Sequence, residues 1–516
     1  MRSLANAIVV AVVLAACQGT TPDPTPSPSP VVQPSTAPPT TPSATPKTPL
    51  GGTLRVALSA AIGSLDPQIT DANPLVVGQI FEGLVGRGPN GVVAALATKW
   101  VVGGDGRAWS FTLRDGVTFH DGSAVDAPAV AKSLGRANDP LIETADAPDA
   151  RTVVLTTRAS YGPFLSALAT TPYLIVSPAS RTSGTGPFRV PTGADGVRPL
   201  VLERNDRYWG ADASGQRLPY LDKLSFTAIA DAPTRLASIR TGSVDFVQDL
   251  ALSDVGTIRT DPSLQLVVRP GTMVLYLGLN LSLPPMDDLR VRQAVAAGLN
   301  ARSLVDRLYS GTAAAASQLP PPAMLGYDET VTEFAKSDPT AAKKLLADAG
   351  RSNLQVDLWY VQDPAVVTPD MRRVAEAVAA DLSAAGINAD TKTIDPITFA
   401  LSVRENRYPM WLGLASSPTF DPDGLLGPAF IPPTVNGQDQ PTEAGGWLNK
   451  EVAGLLRKAR TEPDQSKRAE LYKQVSKIAQ REIPRIPLAW SAPPAAATKK
   501  VVNAQGALFA DVGMGK

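Results

Sequence analysis

The sequence is poor in the residues on which metal centres and disulfide frameworks depend. Among its 516 residues there are one cysteine and one histidine, which excludes an intramolecular disulfide, a cysteine-ligated zinc or iron–sulfur centre and a multi-histidine metal site. Aromatic residues make up only 6% of the chain, and 48 basic residues balance 48 acidic ones. Because nucleic-acid-binding domains normally carry a basic surplus, no nucleic-acid partner is expected.

Motifs typical of enzymes are also missing from the sequence. It contains no Gly-Xaa-Ser-Xaa-Gly elbow, P-loop, His-Glu-Xaa-Xaa-His helix or paired cysteine motif. A Ser–His–Asp triad would have to use His120, whose setting between a strand and a turn suits a structural hydrogen bond better. Asp421 and Asp423 could act as acid and base or bind a metal, but Asp-Pro-Asp-Gly is also ordinary turn chemistry. We therefore expect no enzyme, no catalytic residue, no metal and no cofactor.

The chain begins with a pattern typical of an export signal. Arg2 precedes an uncharged apolar run from Leu4 to Ala16, which is shorter than the roughly 20 residues that a membrane-spanning helix needs. The run ends in small residues followed by Cys17, an arrangement that resembles the bacterial lipobox. We expect residues 1–17 to be a lipoprotein signal peptide with a lipid anchor at Cys17; a plain signal peptide with a chance cysteine is the alternative.

Residues 18–50 are dominated by proline, threonine and serine. Such a composition offers almost no apolar surface to bury, so no core is expected. In polyproline II conformation, at about 3.1 Å per residue, the segment could reach on the order of 100 Å. It is interpreted as a tether for the folded body; a recognition segment or a glycosylated stalk is the alternative.

From residue 51 onwards the pattern is that of an α/β protein in two unequal halves. Alternating apolar residues predict strands over 53–58 and 108–113, and helical spacing predicts a helix over 73–84. After residue 270 strands and helices alternate clearly, with a buried strand at 274–279 and one long amphipathic helix over 289–308.

Capping signals place further helices in the second half of the chain. Asp338-Pro339 predicts a helix start, and Gly350 its end. Thr368-Pro369 is expected to cap another helix, whose buried face is Met371, Val374, Val378 and Leu382. A strand over 410–414 and charged amphipathic helices over 450–460 and 465–483 complete the prediction.

Six blocks, in order, resemble the extracellular solute-binding proteins that serve dipeptide and oligopeptide ABC importers (family 5). The blocks are Gly52–Val56 with Leu65–Gln68, Phe81–Val85, Trp109–Val117 with Phe119–Gly122, Gly184–Phe188 with Leu202–Asn205 and Tyr208-Trp209, Asp288–Ala294, and Arg468–Leu488. The resemblance spans about residues 51–500. It implies a bilobal α/β fold of the periplasmic-binding-protein type II (Venus flytrap) class, with an extra subdomain in the first lobe.

The resemblance also implies a domain order and a function. Lobe I would comprise residues 51–270 with the extra subdomain at about 75–180, lobe II residues 271–486, and residues 487–516 would return to lobe I. A monomeric lipoprotein, anchored on the periplasmic or extracellular face of the cytoplasmic membrane, would capture a small solute, a peptide in the first instance, between its lobes and deliver it to an ABC permease. The alternatives are a surface sensor, adhesin or holdase uncoupled from import, a receptor for a non-peptide solute, and a hydrolase using His120.

One departure from the family pattern affects the substrate. Peptide-binding relatives commonly place an aspartate shortly before the Asp-Pro turn to pair with the peptide's amino terminus, and an aromatic residue nearby. This chain has Ser416, Ser417 and Pro418 there, and Leu414 in place of the aromatic residue. Because a buried ammonium without a countercharge is costly, modified peptides, sugars and lipid-like molecules remain open beside free-amino peptides; nickel is not expected.

Candidate ligand contacts follow from the implied lobe geometry. They are Ala61, Ile62, Tyr173, Thr185, Trp411, Ser416, Ser417 and Asp421. For Tyr173 and Trp411, plain core packing is the alternative.

Overall fold

The computed structural model describes residues 50–515 except 89–90, 194–198, 333, 335–336, 362–369, 443–444 and 506–508. The predicted signal peptide, the lipidation site Cys17 and the tether up to residue 49 lie outside the described residues. Within the described part of the chain, no helix combines the length and the apolar composition needed to cross a bilayer.

The first lobe is built on a seven-stranded mixed sheet. Its strand Thr53–Leu58 was predicted with these bounds, and it pairs in parallel with the strands on both sides. Alternation places Leu54, Val56 and Leu58 in the core beneath the sheet. In spatial order the strands are Leu264–Val267, Ala495–Thr498, Phe246–Val247, Thr53–Leu58, Lys223–Ala228, Leu200–Arg204 and Phe188–Arg189.

The extra subdomain contains a four-stranded antiparallel sheet with its own core. Trp109, Phe111 and Leu113 alternate along the predicted strand Ala108–Leu113 and are buried against helix Ala127–Arg136 and its neighbours. The strands, in order across the sheet, are Ala97–Val102, Ala108–Leu113, Thr152–Thr157 and Ile142–Asp146.

The second lobe is built on a six-stranded mixed sheet that is covered on both faces. The strand Met273–Leu279 lies inside it and is almost wholly buried, as its continuous apolar sequence predicted. Leu275 and Leu277 belong to the core on one face, whereas Val274 and Tyr276 belong to the core on the other. The strand order is Ala313–Ala315, Arg485–Ser491, Met273–Leu279, Met410–Ser416, Leu354–Tyr360 and Ile387–Thr393.

Two short connections join the sheets of the two lobes. Residues 268–272 link a strand of the first sheet to Met273–Leu279, and residues 492–494 link Arg485–Ser491 back to the first sheet. The two connections run side by side, since the Thr272 N–H donates to the Ser491 carbonyl at 2.9 Å.

Helices fill the space around the sheets. Those of the first lobe and the subdomain are Pro74–Ile80, Ala127–Arg136, Phe164–Leu168, Ala232–Arg240 and Val255–Thr260, with 3₁₀ turns at Thr171–Tyr173, Leu252–Asp254 and Phe509–Asp511. Those of the second lobe are Leu289–Gly298, Ala301–Leu308, Pro339–Asp348, Met371–Ala384, Pro396–Arg404, Asp423–Phe430, Lys450–Thr461 and Gln465–Glu482. Short hairpins pair Val85–Gly88 with Gly91–Ala94, Thr434–Val435 with Gln438–Asp439, and Val501–Val502 with Gly513–Met514.

The predicted single helix over 289–308 is wrong, because the structure contains two helices there. Leu289–Gly298 ends where Leu299 adopts an extended conformation, and Asn300 then caps Ala301–Leu308 by accepting a hydrogen bond from the Ser303 N–H. The apolar stripe continues through the break, which hides it from a periodicity argument, whereas the Gly298-Leu299-Asn300 sequence carries the stop and start signals.

Two other helix boundaries also differ from prediction. The helix predicted over 73–84 ends at Ile80, because the chain becomes extended at Phe81. Helix Met371–Ala384 is capped by Asp370, whose side chain accepts from the Arg372 N–H; Thr368 and Pro369 lie outside the described residues. Its predicted buried face is confirmed, as are the Asp338 cap and the Pro339 start of the preceding helix.

Candidate functional site

One of the contacts between the second lobe and the subdomain is made by the segment that follows strand Met410–Ser416. Residues 416–421, called the 416–421 segment below, extend from the carboxyl end of that strand. Arg87 of the subdomain hairpin donates to the Pro418 carbonyl at 3.2 Å, and its guanidinium lies 5.3 Å from the centre of the Phe420 ring. Ser166 donates to an Asp421 oxygen at 3.1 Å. The segment therefore connects the two parts of the molecule that would bound an interlobe cleft.

Phe420 has an unusual backbone conformation for an aromatic residue. Its φ of 56° lies in the left-handed region, which costs a non-glycine residue roughly 1–3 kcal/mol. The turn is held nonetheless, because the Asp421 N–H donates to Ser417 Oγ at 3.1 Å and the Phe420 N–H to the Ser417 carbonyl at 3.0 Å. Ser417 thus supports the turn that presents Phe420 towards Arg87.

Asp421 forms a buried ion pair with Arg468. The carboxylate and guanidinium are 2.5 Å apart, and their side chains are only 2% and 1% exposed. The Asp421 carboxylate also accepts from the Asp423 N–H at 3.0 Å and from Tyr472 Oη at 3.4 Å. Although burial opposes the charge of Arg468, the neighbouring Asp421 charge raises the pKa of its guanidinium. Both oxygens of Asp421 are engaged by protein donors, so Asp421 anchors the segment.

Asp423 has a different partner. Arg460 Nε donates to its carboxylate at 2.9 Å, and burial outweighs this interaction and raises the pKa of Asp423. Among the described residues, no group of three or more aspartate, glutamate, histidine or cysteine side chains is placed to hold a metal. Separate arginine partners for Asp421 and Asp423 favour the turn interpretation over an acid–base pair.

A second set of contacts joins the subdomain to the second lobe. The Gly162 N–H donates to the Arg460 carbonyl at 2.7 Å, and Ser160 Oγ donates to the Thr461 carbonyl at 2.7 Å. A Cβ at position 162 would lie 2.1 Å from the Glu462 carbonyl oxygen, so the close approach requires glycine. The subdomain therefore rests on the end of helix Lys450–Thr461.

Two cavities lie beside these contacts and share Pro322 and Ala323 in their walls. The larger, of about 590 Å³, is bounded by the first interlobe connection and by Trp490, and Arg269 is its only charged lining residue. The smaller, of about 240 Å³, is bounded by the subdomain hairpin, Ser166 and Phe420, and by the paired Asp421 and Arg468. The larger volume is within the range of small-molecule sites, roughly 300–1,000 Å³.

Three of the eight predicted ligand residues come together. Ser416, Ser417 and Asp421 all belong to the 416–421 segment; Ser416 is exposed, whereas Ser417 and Asp421 are buried. Ala61 and Ile62 lie in the loop after Thr53–Leu58, where Ala61 is exposed and Ile62 packs in the first-lobe core. The direct ligand role of these residues stays a prediction.

Tyr173 and Trp411 are packed inside the protein. Tyr173 belongs to the subdomain core, where burial raises the pKa of its hydroxyl. Trp411 is 2% exposed and lies directly over Gly278 of the neighbouring strand, where any Cβ would clash with its ring. Both positions agree with the core-packing alternative.

Thr185 is engaged by Glu82, and the contacts of Glu82 and Trp209 together connect three of the blocks noted in the sequence. The Glu82 carboxylate accepts from Thr185 Oγ1 at 2.9 Å, Tyr208 Oη at 3.0 Å and Trp209 Nε1 at 3.0 Å. Burial raises the pKa of Glu82 to about 7, against the effect of these donors. Arg114 lies 3.9 Å above the Trp209 ring. The blocks are therefore spatial neighbours that join the first lobe to the subdomain.

His120 is held by backbone groups of the Gly184–Gly186 loop. Its Nδ1 accepts from the Gly184 N–H at 3.3 Å, which leaves the proton on Nε2 to be donated to the Gly186 carbonyl at 3.0 Å. Burial lowers the pKa of His120 to about 4. Both ring nitrogens are occupied structurally, so the geometry gives no support to a hydrolase using His120.

Sequence reasoning missed the residues that face the 416–421 segment. Arg87, Ser166 and Arg468 are separated from it by tens to hundreds of residues, and no local period connects them. A weak signal existed for Arg87 alone, because Gly-Pro-Asn-Gly at 88–91 is a turn sequence that marks a hairpin.

Replacing Arg468 by alanine should destabilise the protein by about 3–5 kcal/mol, because it leaves the Asp421 carboxylate buried without a countercharge. Arg189→Ala is the matched control: Arg189 and its partner Glu203 are 42% and 32% exposed, and we expect a loss of about 1 kcal/mol or less. Urea unfolding measures both. Equal losses of unfolding free energy in the two variants would contradict the anchoring role of the buried Asp421–Arg468 pair.

The single histidine allows a direct test of the His120 environment. The imidazole NMR signal should titrate near pH 4 in the folded protein, well below the value of about 6.5 for an exposed histidine. The unfolded chain then binds more protons between these values, so stability falls by about 3 kcal/mol as the pH drops from 6.5 to 4. His120→Asn should remove this part of the pH dependence. A midpoint near 6.5 would show that the ring is solvated.

Comparison with known proteins agrees with the architecture described above. The model of "Bacterial extracellular solute-binding proteins, family 5 Middle" matches residues 91–437. The dipeptide-binding protein of Escherichia coli K12 is 27% identical over 448 residues, which cover 78% of this chain and 82% of that protein. Heme-binding protein A of Haemophilus influenzae is 27% identical over 460 residues, covering 80% and 82% of the two chains.

Solved structures confirm the predicted bilobal fold. HbpA2 from Haemophilus parasuis superposes with a TM-score of 0.78 at 27% identity, covering 90% of this chain and all of that one. The murein tripeptide binding protein MppA, in its unliganded open form, gives a TM-score of 0.76 at 20% identity, covering 89% and 95% of the chains. The two lobes, the extra subdomain and the match over most of the chain show that this protein belongs to family 5 of the bacterial extracellular solute-binding proteins.

Proposed function

We propose that the protein is the substrate-binding component of an ABC importer, capturing oligopeptides or a related solute and delivering it to a membrane permease. The observation that carries this proposal is a pair of adjoining cavities at the boundary between the lobes. One, of about 590 Å³, lies beside the first interlobe connection and Trp490, and the other, of about 240 Å³, lies between the subdomain hairpin and the 416–421 segment. Ligands of α/β proteins bind where strands end and lobes face each other.

The relatives support a peptide as the solute. Besides the dipeptide-binding protein, a glutathione-binding protein of Escherichia coli is 27% identical over 471 residues, covering 84% of this chain and 88% of that protein. Glutathione is itself a modified tripeptide. The heme-binding relative shows that the same fold also serves non-peptide solutes, so the peptide assignment rests on the first two relatives.

The proposed mechanism is rotation of the two lobes about their paired connections. Residues 268–272 and 492–494 are two short adjacent segments, and few backbone dihedral angles need to change for such a hinge to move. A solute that binds the closed form more tightly than the open form would shift the population towards the closed form. The permease would then recognise the closed form.

Membrane attachment completes the proposal. Lipidation at Cys17 and the tether of residues 18–50 would hold a monomeric receptor on the outer face of the cytoplasmic membrane, periplasmic or extracellular. Tethering raises the effective concentration of the receptor near its permease without any new contact. No step in this mechanism requires catalysis.

The first test is native mass spectrometry of residues 50–516, purified without denaturation and then unfolded to release bound molecules. We expect a heterogeneous set of peptides. Deleting the gene should then abolish uptake of those peptides, and reintroducing the wild-type gene should restore it. One discrete non-peptide mass would contradict the peptide assignment, and unchanged uptake would contradict coupling to import.

The anchor is tested by Cys17→Ser. Because Cys17 is the only cysteine in the chain, the variant cannot be lipidated on sulfur and should leave the membrane fraction, whereas wild-type protein should sediment with it and incorporate labelled palmitate. Equal distribution of the two proteins between fractions would show that Cys17 carries no anchor.

A further inference from the structure

Arg87 places a positive charge at the 416–421 segment without a matching carboxylate. Its one hydrogen bond within the described part of the chain goes to the Pro418 carbonyl, at 3.2 Å. No described aspartate or glutamate lies within ion-pair distance of Arg87. A guanidinium carries five N–H donors in a planar fork, so most of the donors of Arg87 remain available.

The geometry of the hairpin turns Arg87 towards the cleft. Arg87 on one strand is directly opposite Val92 on the other, and opposite residues of an antiparallel pair project from the same face. Val92 lines the cavity of about 240 Å³. The Arg87 side chain is exposed to solvent, so a solute entering from the cleft can reach it.

The carboxylates in and next to the 416–421 segment are already neutralised. Asp421 is paired with Arg468 and also accepts from Ser166, and Asp423 is paired with Arg460. The adjoining larger cavity adds no acidic residue, since Arg269 is the only charged residue of its wall. The charge available to a solute beside the 416–421 segment is therefore that of Arg87.

We propose that Arg87 binds a carboxylate of the solute beside the 416–421 segment, so that this end of the site accepts a peptide carboxylate and rejects an ammonium group. The proposal rests on the proposed peptide-binding function. Arg87 binds carboxylates in a bidentate manner better than lysine could, because its planar donors match the two oxygens. The Phe420 ring, whose centre is 5.3 Å from the guanidinium carbon, adds a cation–π contact that holds the group beside the segment.

The hydroxyl groups of the segment fit this assignment. Ser416 is exposed at the end of its strand, and Thr419 is partly exposed. Thr419 Oγ1 and Ser417 Oγ lie 3.2 Å apart, so one of the two hydroxyls can donate to an acceptor outside the pair. Hydroxyls can donate to a carboxylate, whereas an ammonium group here would face Arg87 without a counter-ion.

The test uses two pools of random tetrapeptides that differ only at the carboxyl terminus, one pool as free acids and one as amides. Both pools contain only uncharged side chains and are offered together to the full chain, and the bound fraction is identified by mass spectrometry. We expect acids to be enriched over amides by about tenfold or more, as a charge-assisted bidentate contact would give. Arg87→Gln should remove the enrichment while amide peptides still bind.

Arg158→Gln is the matched control. Arg158 is also an exposed subdomain arginine, and it donates to a proline carbonyl, that of Pro140, at 3.0 Å. Its hydrogen bond lies within the subdomain and does not involve the 416–421 segment. Its replacement should leave the enrichment unchanged. Circular dichroism melts of both variants establish that they remain folded.

The outcomes separate this inference from the proposed function. Binding of acids and amides in equal amounts, or an acid preference that survives Arg87→Gln, would overturn the role of Arg87 and leave peptide capture intact. Failure of both pools to bind wild-type protein would overturn peptide capture and the Arg87 assignment together.

Discussion

The buried ion pair between Asp421 and Arg468 is the interaction on which the geometry of the cleft depends. It fixes the segment that follows strand Met410–Ser416 to helix Gln465–Glu482, and Ser166 of the subdomain donates to the same carboxylate. Two charges buried away from water stabilise a fold only when each has both an oppositely charged partner and hydrogen bonds. That condition restricts how the segment can move, because any displacement of Asp421 would leave Arg468 buried and unpaired.

The Asp421–Arg468 pair also accounts for the strained conformation next to it. Phe420 adopts a positive φ between the anchored Asp421 and the Ser417 turn, and it lies under Arg87. The backbone energy stored there is compensated by the surrounding hydrogen bonds. A rigid polar segment is thereby presented to the subdomain, and the charge beside it that has no carboxylate partner among the described residues is the guanidinium of Arg87.

Local sequence patterns were sufficient to predict many of the strands and helices of the fold. Alternation identified strands 53–58 and 108–113 with their observed bounds, and capping chemistry identified the start of helix Pro339–Asp348. The break at Leu299 was missed because the apolar stripe crosses it unchanged. The bilobal arrangement was predicted from the family resemblance, because the spacing of apolar residues does not reveal how strands and helices are divided between lobes.

The site was less predictable for a physical reason. Its contacts join residues far apart in sequence, such as Arg87 with Pro418 and Ser166 with Asp421, and local propensity carries no information on such pairs. Residue type alone was also ambiguous. Thr185 is a plausible ligand donor by chemistry, yet its hydroxyl is engaged by Glu82, and the Trp411 ring is packed against Gly278.

A crystal structure of the protein with the solute that it captures tests the central claim most directly. The account predicts that the solute lies between the lobes, in contact with the subdomain hairpin of residues 85–94 on one side and with the 416–421 segment of the second lobe on the other. A solute bound on an outer surface, with both cavities at the lobe boundary filled only by water, would contradict it.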